Sequence, residues 1–329
     1  MQDSAALVEV EGVRKNFAVR AGFFGRARGQ LRAVDAVDLR IACGEVLGVV
    51  GESGSGKSTL GRLVLRLLEP SGGRILFDGV EITHRPPAQI RPLRRRMQMI
   101  FQDPYASLDP RMRIGDALAE ALRVAAPGPR AALRAQAADL LDQVGLPAEA
   151  MHRYPRAFSG GQRQRVAIAR ALAVRPDFLV ADEPVSALDV SIQAGIIALL
   201  QQLRAELHLA MMFISHDLSV VEMLSDRVLV LYLGRTMETG PTAQVFAAPR
   251  HPYTRALLSA VPGRDRATGR RPFAIAGETP SPIAPPSGCV FRTRCPFAEA
   301  VCAETAPTLE PIGPARASAC IRRDAIDLG

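Results

Sequence analysis

The stretch GESGSGKSTL, residues 51–60, follows the apolar run EVLGVV directly and opens a segment with helical spacing. Residues 51–58 fit the pattern G-x-x-x-x-G-K-[ST] of phosphate-binding loops. Gly51, Gly54 and Gly56 let the backbone turn tightly, so that its N–H groups face inward. Because the following helix adds the positive end of its dipole, the stretch predicts an anion site between a strand and a helix.

The side chains of this loop indicate which anion it holds. Lys57 is placed to reach the β- and γ-phosphates of a nucleotide, and the Ser58 hydroxyl is placed to ligate Mg²⁺. Ser53 and Thr59 complete the phosphate-binding set. A glycine-rich turn with an incidental lysine is the alternative, and the strand–loop–helix context argues against it. Kinases, GTPases and ATPases all share such a loop, so other parts of the sequence must distinguish them.

Two acids end the apolar run in FLVADEP, residues 178–184. Asp182, at the carboxyl end of a buried strand, is placed to hold Mg²⁺ directly or through water. Glu183 is placed to polarise an attacking water. A double acid could simply cap a strand, but in a chain with a phosphate loop the pair predicts nucleotide hydrolysis.

Apolar runs and helical segments alternate along most of the chain, which predicts an α/β fold with a largely parallel sheet. The predicted buried strands are 45–50, 178–182, 211–215 and 228–233, and the predicted helices are 57–68, 191–207 and 218–225. The first third alternates in polarity and turns at glycines, which predicts antiparallel strands. Residues from about 103 to 174 have helical spacing without a strand signal, so we expect a helical insertion.

A composition shift then separates a predicted nucleotide-binding domain, 1–260, from a small Cys-containing domain, 261–329.

The stretch FSGGQRQRVAIARAL, residues 158–172, reads as a Gly-Gly turn at the beginning of a helix, with Ser159 as its cap. It resembles the signature sequence of ABC-type ATPases, with Phe158 in the first place. The resemblance implies a P-loop NTPase cassette whose signature closes on the γ-phosphate held by a second, head-to-tail subunit. The residues implied to contact nucleotide here are Ser159, Gly160, Gly161 and Gln162.

Four further motifs occur in the order of that family. The resemblance implies that Gln102 in FQDP senses Mg²⁺ and the attacking water, and that Asp189 in SALD lies in the loop crossing the dimer interface. It also implies that His216 in ISHD contacts the γ-phosphate and that Phe17 in VRKNFAV stacks on adenine. The implied catalytic residues are Glu183, His216 and Gln102, and the implied Mg²⁺ ligands are Ser58, Gln102 and Asp182.

Within the ABC family, three stretches resemble the ATPases of oligopeptide and dipeptide importers. They are GFFGRARGQLRAVDAVDL at 22–39, HPYTRALLSAVP at 251–262 and GCVFRTRCPFAEAVCAETAPTLEP at 288–311. The resemblance implies an ATP-hydrolysing subunit that powers peptide import. Its implied partners are two transmembrane permease subunits, a second ABC ATPase subunit and, indirectly, an extracytoplasmic solute-binding protein. A nickel importer shares much of this pattern, so nickel or another small solute is the alternative cargo.

No apolar run approaches the roughly 18 residues that cross a bilayer, and the N-terminus lacks the pattern of a secretory signal. We therefore expect a peripheral protein at the cytoplasmic face of the inner membrane.

The formal net charge of +8 is scattered, except for an arginine-rich run at 91–99. That run has no interleaved aromatic residues to stack on bases, so we expect no nucleic-acid partner. An ABC ATPase acting on nucleic acid and a weakly active regulatory subunit are the alternatives.

Four cysteines gather near the C-terminus with the spacing C-x5-C-x6-C-x17-C, namely Cys289, Cys295, Cys302 and Cys320, while Cys43 stands apart. Four thiols suit a tetrahedral Zn²⁺ or an iron–sulfur cluster. The spacing matches no common zinc-finger pattern. The family resemblance implies a [4Fe–4S] cluster, with Zn²⁺ and with free or disulfide-bonded thiols as alternatives. We expect its role to be structural or regulatory.

Overall fold

The computed structural model describes residues 6–21, 26–103, 108–186 and 188–328. The strands, in chain order, are β1 Ala6–Ala21, β2 Arg26–Ala42, β3 Val46–Val50, β4 Gly72–Phe77, β5 Val80–Glu81, β6 Met97–Ile100, β7 Phe178–Asp182, β8 Ala210–Ile214, β9 Arg227–Tyr232, β10 Arg235–Pro241, β11 Glu310–Gly313 and β12 Arg316–Ser318. The α-helices are α1 Lys57–Val64, α2 Pro87–Ile90, α3 Ile114–Ala125, α4 Arg130–Gln143, α5 Gly160–Leu172, α6 Val190–Leu207, α7 Leu218–Leu224, α8 Thr242–Ala247, α9 Pro252–Ser259, α10 Arg264–Ala267 and α11 Val301–Glu304.

The chain divides into two compact units, each assembled from separate segments. The first unit comprises Met1–Leu7, Ile41–Glu45 and His84–Ile214. The second comprises Val8–Arg40, Val46–Thr83 and Ser215–Gly329. The C-terminal residues therefore belong to the same unit as the phosphate loop, and a separate small C-terminal domain is not confirmed. The domain boundary at residue 260 stays a prediction from composition.

Parallel strands form the sheet of the first unit. Strand β7 pairs in parallel with β6 on one side and with β8 on the other, so that Phe178 lies opposite Met97 and Ala210. Every residue of β7 and β8 is buried. Strands covered on both faces are continuously apolar instead of alternating, which explains the runs FLVAD and AMMFI. The predicted parallel arrangement is confirmed for these strands.

Helices fill the rest of the central segment of the first unit. Between residue 108 and residue 177 the structure contains α3, α4 and α5 and no strand, as the helical-insertion prediction requires. In α3 the side chains of Ile114, Leu118 and Leu122 recur every fourth residue and are buried. This spacing places them on one face of the helix, so burial of that face holds α3 in the unit.

An antiparallel sheet with the strand order β2-β1-β4-β5 lies in the second unit. Strand β1 runs antiparallel to β4, with Val8 opposite Phe77. Val8 and Val10 are buried, whereas the intervening Glu9 and the following Glu11 reach toward solvent. Because side chains alternate between the two faces of a strand, this pattern gives the sheet one apolar and one polar face. The antiparallel strands predicted for the first third of the chain are confirmed.

The same unit contains a second group of strands in the order β11-β12-β10-β9-β3. Strand β3 runs parallel to β9, while β10, β12 and β11 continue in antiparallel pairs. Glu238 of β10 lies opposite Ser318 of β12. The C-terminal strands thus extend the edge next to β10. This long-range pairing leaves no signal in the local sequence pattern.

The helix after the phosphate loop is shorter than predicted, because α1 ends at Val64 and not at residue 68. Arg66 adopts a left-handed conformation with φ of 51°. Its Nε donates a hydrogen bond to the carbonyl oxygen of Ile82 at 2.9 Å. A left-handed residue cannot continue a right-handed helix, so the chain turns away at this point.

In the part of the chain that the structure describes, no helix combines the length and the apolar character needed to cross a bilayer.

Close packing of β3 against α7 provides a test of this fold. A Cβ atom at Gly48 would lie 2.5 Å from Val221 Cγ1 and 2.6 Å from Ser225 Oγ. We expect Gly48→Ala to lower the free energy of unfolding by about 1–3 kcal/mol, the usual cost of overpacking, measured by urea denaturation. Gly72→Ala is the matched control in β4, because a Cβ there meets no atom within 4 Å. Equal stability of the two variants would contradict the packing.

Candidate functional site

The phosphate loop follows a path between two backbone carbonyl groups. A Cβ atom at Gly51 would lie 2.1 Å from the carbonyl oxygen of Leu231, at the end of β9. One at Gly56 would lie 2.2 Å from the carbonyl oxygen of Ala33 in β2. Both glycines also have positive φ, 153° and 103°. Only glycine meets both the conformational and the spatial requirement, so the loop has this course because of its glycines.

Lys57 begins α1 and folds back over the loop. Its Nζ donates hydrogen bonds to the carbonyl oxygens of Gly51, at 2.8 Å, and Glu52, at 2.9 Å. Ser58 and Thr59 lie half-buried in the first turn, and Ser53 is exposed at the tip of the loop. The first turn of α1 contains no acidic residue. The positive end of the helix is therefore available to an anion.

The two acids at the end of β7, Asp182 and Glu183, differ in how far they are exposed to solvent. Asp182 is only 2% exposed, whereas Glu183 is half-buried. Glu183 has φ of 47°, a conformation that is rare for residues other than glycine. Its N–H donates to the carbonyl oxygen of Ile214 at 3.0 Å, which holds the turn. Backbone strain of this kind concentrates at functional sites.

Gln102 and Glu183, which are far apart in sequence, are brought together. The Gln102 side chain donates from Nε2 to Glu183 Oε2 over 3.2 Å. An amide that donates to a carboxylate restricts the orientation of that carboxylate. This contact places two of the three predicted catalytic side chains in one hydrogen-bonded pair.

The signature stretch has the predicted cap. Ser159 Oγ accepts a hydrogen bond from the Gln162 N–H at 3.3 Å, and Gln162 Oε1 accepts from the Ser159 N–H at 3.1 Å. This reciprocal capping box begins α5, whose first turn contains no acidic residue. Gly161 is buried, and a Cβ there would lie 2.3 Å from Ile192 Cγ2 of α6. Its lack of a side chain lets the two helices approach closely.

The remaining predicted residues lie at exposed positions. Phe17 of β1 is 38% exposed, with Lys15 Nζ 5.2 Å from the centre of its ring. Asp189 precedes α6, and its side chain makes no cap hydrogen bond to the helix. His216 follows β8 and is exposed. Pro104 in FQDP and Ala187 in SALD lie outside the described residues.

The two compact units divide the predicted residues between them. Phe17, the loop at 51–59 and His216 belong to the second unit. Gln102, the signature at 158–162, Asp182, Glu183 and Asp189 belong to the first.

Sequence reasoning missed the contacts that surround Glu52 of the phosphate loop. Its N–H donates to Tyr253 Oη at 2.8 Å, and its Oε2 accepts from Arg294 at 2.7 Å and from Thr279 Oγ1 at 2.8 Å. All three partners lie more than 200 residues further along the chain. Arg294, next to Cys295, belongs to no motif of its own, so no local sequence pattern predicts its contact with Glu52.

The four C-terminal cysteines line one narrow cavity, together with Phe291 and other apolar residues. All four are free thiols, so the disulfide alternative is wrong. Burial raises the pKa of the Cys295 thiol to about 11 and also raises the pKa of Cys289 and Cys320. Burial therefore favours the protonated thiol at Cys289, Cys295 and Cys320.

The predicted metal set is not supported as it stands. Among the described residues, no group of three or more His, Cys, Asp or Glu side chains is arranged to hold a metal ion. Four thiols are suitable donors for a soft metal, but lining one cavity does not bring them to the positions of a single-ion site. The structure therefore supports neither a Zn²⁺ site nor an iron–sulfur cluster on the described cysteines.

Two family models match the chain. The ABC transporter family matches residues 34–186, and the oligopeptide/dipeptide transporter C-terminal region matches residues 237–302. The second match includes Tyr253, Arg294 and three of the four cysteines of the tail.

Related proteins match almost the whole chain. A putative peptide import ATP-binding protein of Brucella ovis is 52% identical over 316 residues, 96% of this chain and 98% of the relative. The oligopeptide transport ATP-binding protein OppF of Escherichia coli is 49% identical over 309 residues, 92% of each chain. AppF of Bacillus subtilis, another oligopeptide transport ATP-binding protein, is 46% identical over 317 residues, 95% of this chain and 96% of the relative.

Solved structures share the fold over most of the chain. A dimeric ATP-binding cassette in a post-hydrolysis state, bound to ADP and phosphate, matches with a TM-score of 0.65 and 28% identity. The match covers 71% of this chain and 98% of that cassette. CbiO1 of Clostridium perfringens, part of the transporter complex cbiONQ, matches with a TM-score of 0.64 and 30% identity over 74% of this chain and 91% of its own.

Proposed function

Because the chain belongs to the ATP-binding subunits of ABC transporters, in the oligopeptide/dipeptide group, we propose that its ATP hydrolysis powers the import of di- and oligopeptides. It is a transport ATPase. One observation carries the peptide assignment: the cassette and the oligopeptide/dipeptide C-terminal region occur on one chain that matches peptide-import subunits nearly end to end. Nickel is the alternative cargo, resting on sequence resemblance alone.

Nucleotide binding is assigned to the phosphate loop and its helix. The backbone N–H groups of the loop and the positive end of α1 receive the phosphates, and Lys57 exchanges its bonds to loop carbonyl groups for phosphate oxygens. Phe17 is exposed and its ring is accessible for stacking on adenine.

Mg²⁺ is expected with ATP, and the residues present fit it chemically. A hydroxyl, an amide and a carboxylate, from Ser58, Gln102 and Asp182, are oxygen donors of the kind that Mg²⁺ prefers. Asp182 is buried, and a cation would compensate its charge. A bound Mg²⁺ would neutralise negative charge that develops on the phosphates during hydrolysis.

Glu183 is the residue that polarises the attacking water. The hydrogen bond from Gln102 orients the Glu183 carboxylate, and a carboxylate held in this way is suited to act on a water. His216 is assigned to the γ-phosphate. Catalysis of this type depends on positioning and electrostatics more than on covalent chemistry.

The signature supplies the second half of a composite site. The capped beginning of α5 has no acidic residue in its first turn and is therefore suited to an anion. We assign Ser159, Gly160 and Gln162 to the γ-phosphate held by a second cassette, with buried Gly161 setting the helix position and Asp189 at the dimer interface. Binding of two nucleotides then draws the two cassettes together.

We propose that the closing motion of the two cassettes is transmitted to two transmembrane permease subunits. Binding to these subunits places the chain peripherally at the cytoplasmic face of the membrane. An extracytoplasmic solute-binding protein delivers the peptide to those subunits, and no nucleic acid takes part.

The import assignment is tested by extracting a tagged chain from its own cells in mild detergent and identifying the co-purifying proteins. We expect two multi-span membrane proteins, with or without a second ATPase. After reconstitution of that complex into vesicles with its binding protein, we expect ATP-dependent uptake of a labelled tripeptide and none of radioactive Ni²⁺. Uptake of Ni²⁺ alone would establish the alternative cargo, and co-purifying nucleic acid without membrane proteins would overturn the transport assignment.

The role of Glu183 predicts a variant that binds ATP without turning it over. Glu183→Gln keeps the size of the side chain and removes the charge that polarises water, so kcat should fall by about 10²–10⁴-fold. Steady-state phosphate release measures this loss, and nucleotide binding should be retained. Glu206→Gln is the control, because Glu206 is exposed at the end of α6. Near-normal turnover by Glu183→Gln would remove Glu183 from this role.

The four cysteines of the tail are proposed to hold a [4Fe–4S] cluster. The proposal is supported by the four free thiols that line one cavity, because cysteine thiolates are the usual ligands of such clusters. Because the thiols must lose their protons to bind, cluster affinity should rise with pH.

Replacement of one of these cysteines tests the cluster. We expect Cys295→Ser, purified without oxygen, to lose most of its iron and acid-labile sulfide and to expose the tail to protease. Cys43→Ser is the control, since Cys43 is exposed and outside the group. Iron content that is equal in Cys295→Ser and the unaltered chain, or absent from both, would contradict the proposal.

A further inference from the structure

Glu52 connects the C-terminal tail to the lysine of the phosphate loop. Its carbonyl oxygen accepts from Lys57 Nζ at 2.9 Å, while its side chain accepts from Arg294 at 2.7 Å. Its N–H is held by Tyr253. The N–H, the carbonyl and the carboxylate of this residue are therefore all bonded, and the partners outside the loop are Tyr253, Thr279 and Arg294. A displacement of Glu52 would displace the attachment point of Lys57 as well.

The Arg294–Glu52 ion pair is shielded from water. The Arg294 side chain is 10% exposed and that of Glu52 is 27% exposed. Exposed ion pairs add little to stability because water and salt screen them, but shielded pairs interact more strongly. Removal of one partner from a shielded pair leaves the other charge uncompensated.

Aromatic packing fixes the segment that carries Arg294. Phe291 is fully buried, and its ring centre lies 5.4 Å from those of Tyr232 and Tyr253. Burial also raises the pKa of the Tyr253 phenol, which stays neutral and accepts from the Glu52 N–H. Arg294 is thus presented to the loop by a rigid support.

The charge of Glu52 makes this contact relevant to nucleotide binding. A carboxylate within a loop that receives several phosphate charges opposes their binding by like-charge repulsion. Arg294 compensates that carboxylate, and Thr279 adds a second donor to the same oxygen at 2.8 Å. The tail therefore contributes both a fixed position and a compensating charge to the loop.

We propose that Arg294 is a positioning residue for nucleotide binding, which acts by holding Glu52 and, through it, the phosphate loop and Lys57. It touches no substrate itself. The proposal rests on the assignment of the loop at 51–59 to nucleotide phosphates. It gives the C-terminal tail a direct part in the ATPase site, separate from any metal that the cysteines hold.

The test measures MgADP binding by the purified full chain, since MgADP is not hydrolysed. Arg294→Gln should raise the dissociation constant about three- to tenfold. In steady-state hydrolysis the KM for ATP should rise by a similar factor while kcat changes less than about twofold, because Glu183 and His216 are untouched. Arg294→Lys, which keeps the charge, should recover most of the affinity. A dissociation constant for Arg294→Gln within about twofold of the unaltered chain would overturn the proposal.

A second variant applies if Arg294→Gln does not fold. Glu52→Asp leaves the tail unchanged and keeps the charge, but its carboxylate is one methylene too short to reach Arg294. It should weaken MgADP binding about as much as Arg294→Gln does. The double variant should be no weaker than either single one, because both break the same contact. Additive losses would mean that the two residues act independently, and would overturn the proposal.

Two controls separate this proposal from its premise. Arg323→Gln breaks a pair of the same length, 2.7 Å to Glu310, which lies within the tail, so MgADP binding should not change. An equal loss in Arg323→Gln would reveal a general effect of the tail and overturn the role of Arg294. Lys57→Ala should weaken binding more than Arg294→Gln. Unchanged binding by Lys57→Ala would instead refute the assignment of the phosphate loop.

Discussion

The course of the phosphate loop is the constraint on which the site depends. Backbone carbonyl groups of Leu231 and Ala33 come so close to Gly51 and Gly56 that no side chain fits at either position. This close approach directs the chain from the buried strand β3 into α1, whose first turn then faces the loop. Lys57 bonds across the same turn to the loop carbonyl groups. Lys57 and the beginning of α1 are thereby held beside the loop, and a site that is already ordered loses less conformational freedom on binding.

The electropositive groups and the acidic groups of the predicted site belong to different elements of the structure. Neither α1 nor α5 has an acidic residue in its first turn, which leaves both helix beginnings electropositive. The acids are instead concentrated after β7, where one carboxylate is buried and the other is held by Gln102. Glu183 itself lies in a left-handed turn, with φ of 47°. Two neighbouring carboxylates are thus held in different environments at the same strand end.

Buried polar groups attach the C-terminal residues to the phosphate-loop unit. Buried Glu238 accepts from the N–H groups of Arg250 and His251 and pairs with Arg316 of β12 at 2.8 Å. Burial lowers the pKa of His251 to about 3, so its ring stays neutral and Nδ1 accepts from the Tyr253 N–H. That bond begins α9 and sets the tyrosine that contacts the loop. Since buried polar groups are costly when unpaired, this network specifies one position for the tail.

The sequence by itself determined the kind of fold, the phosphate loop, the acidic pair and the signature. Each depends on a local pattern: glycine spacing, a continuous apolar run that ends in acids, or a cap followed three residues later by its partner Gln162. The local sequence pattern did not predict the early end of α1, because the left-handed turn at Arg66 is stabilised by a hydrogen bond to the carbonyl oxygen of Ile82. Local patterns do not contain such long-range bonds.

Only the tertiary structure decided how distant segments combine. It joined Gln102 to Glu183, paired β12 with β10, and placed Arg294 on Glu52, 242 residues away. It also brought four cysteines to one cavity without arranging them around an ion. Contacts of this range follow from strand register and side-chain packing, which emerge when the whole core forms. The motifs of the site are therefore local in the sequence, whereas the contacts between the tail and the phosphate loop exist only in the folded chain.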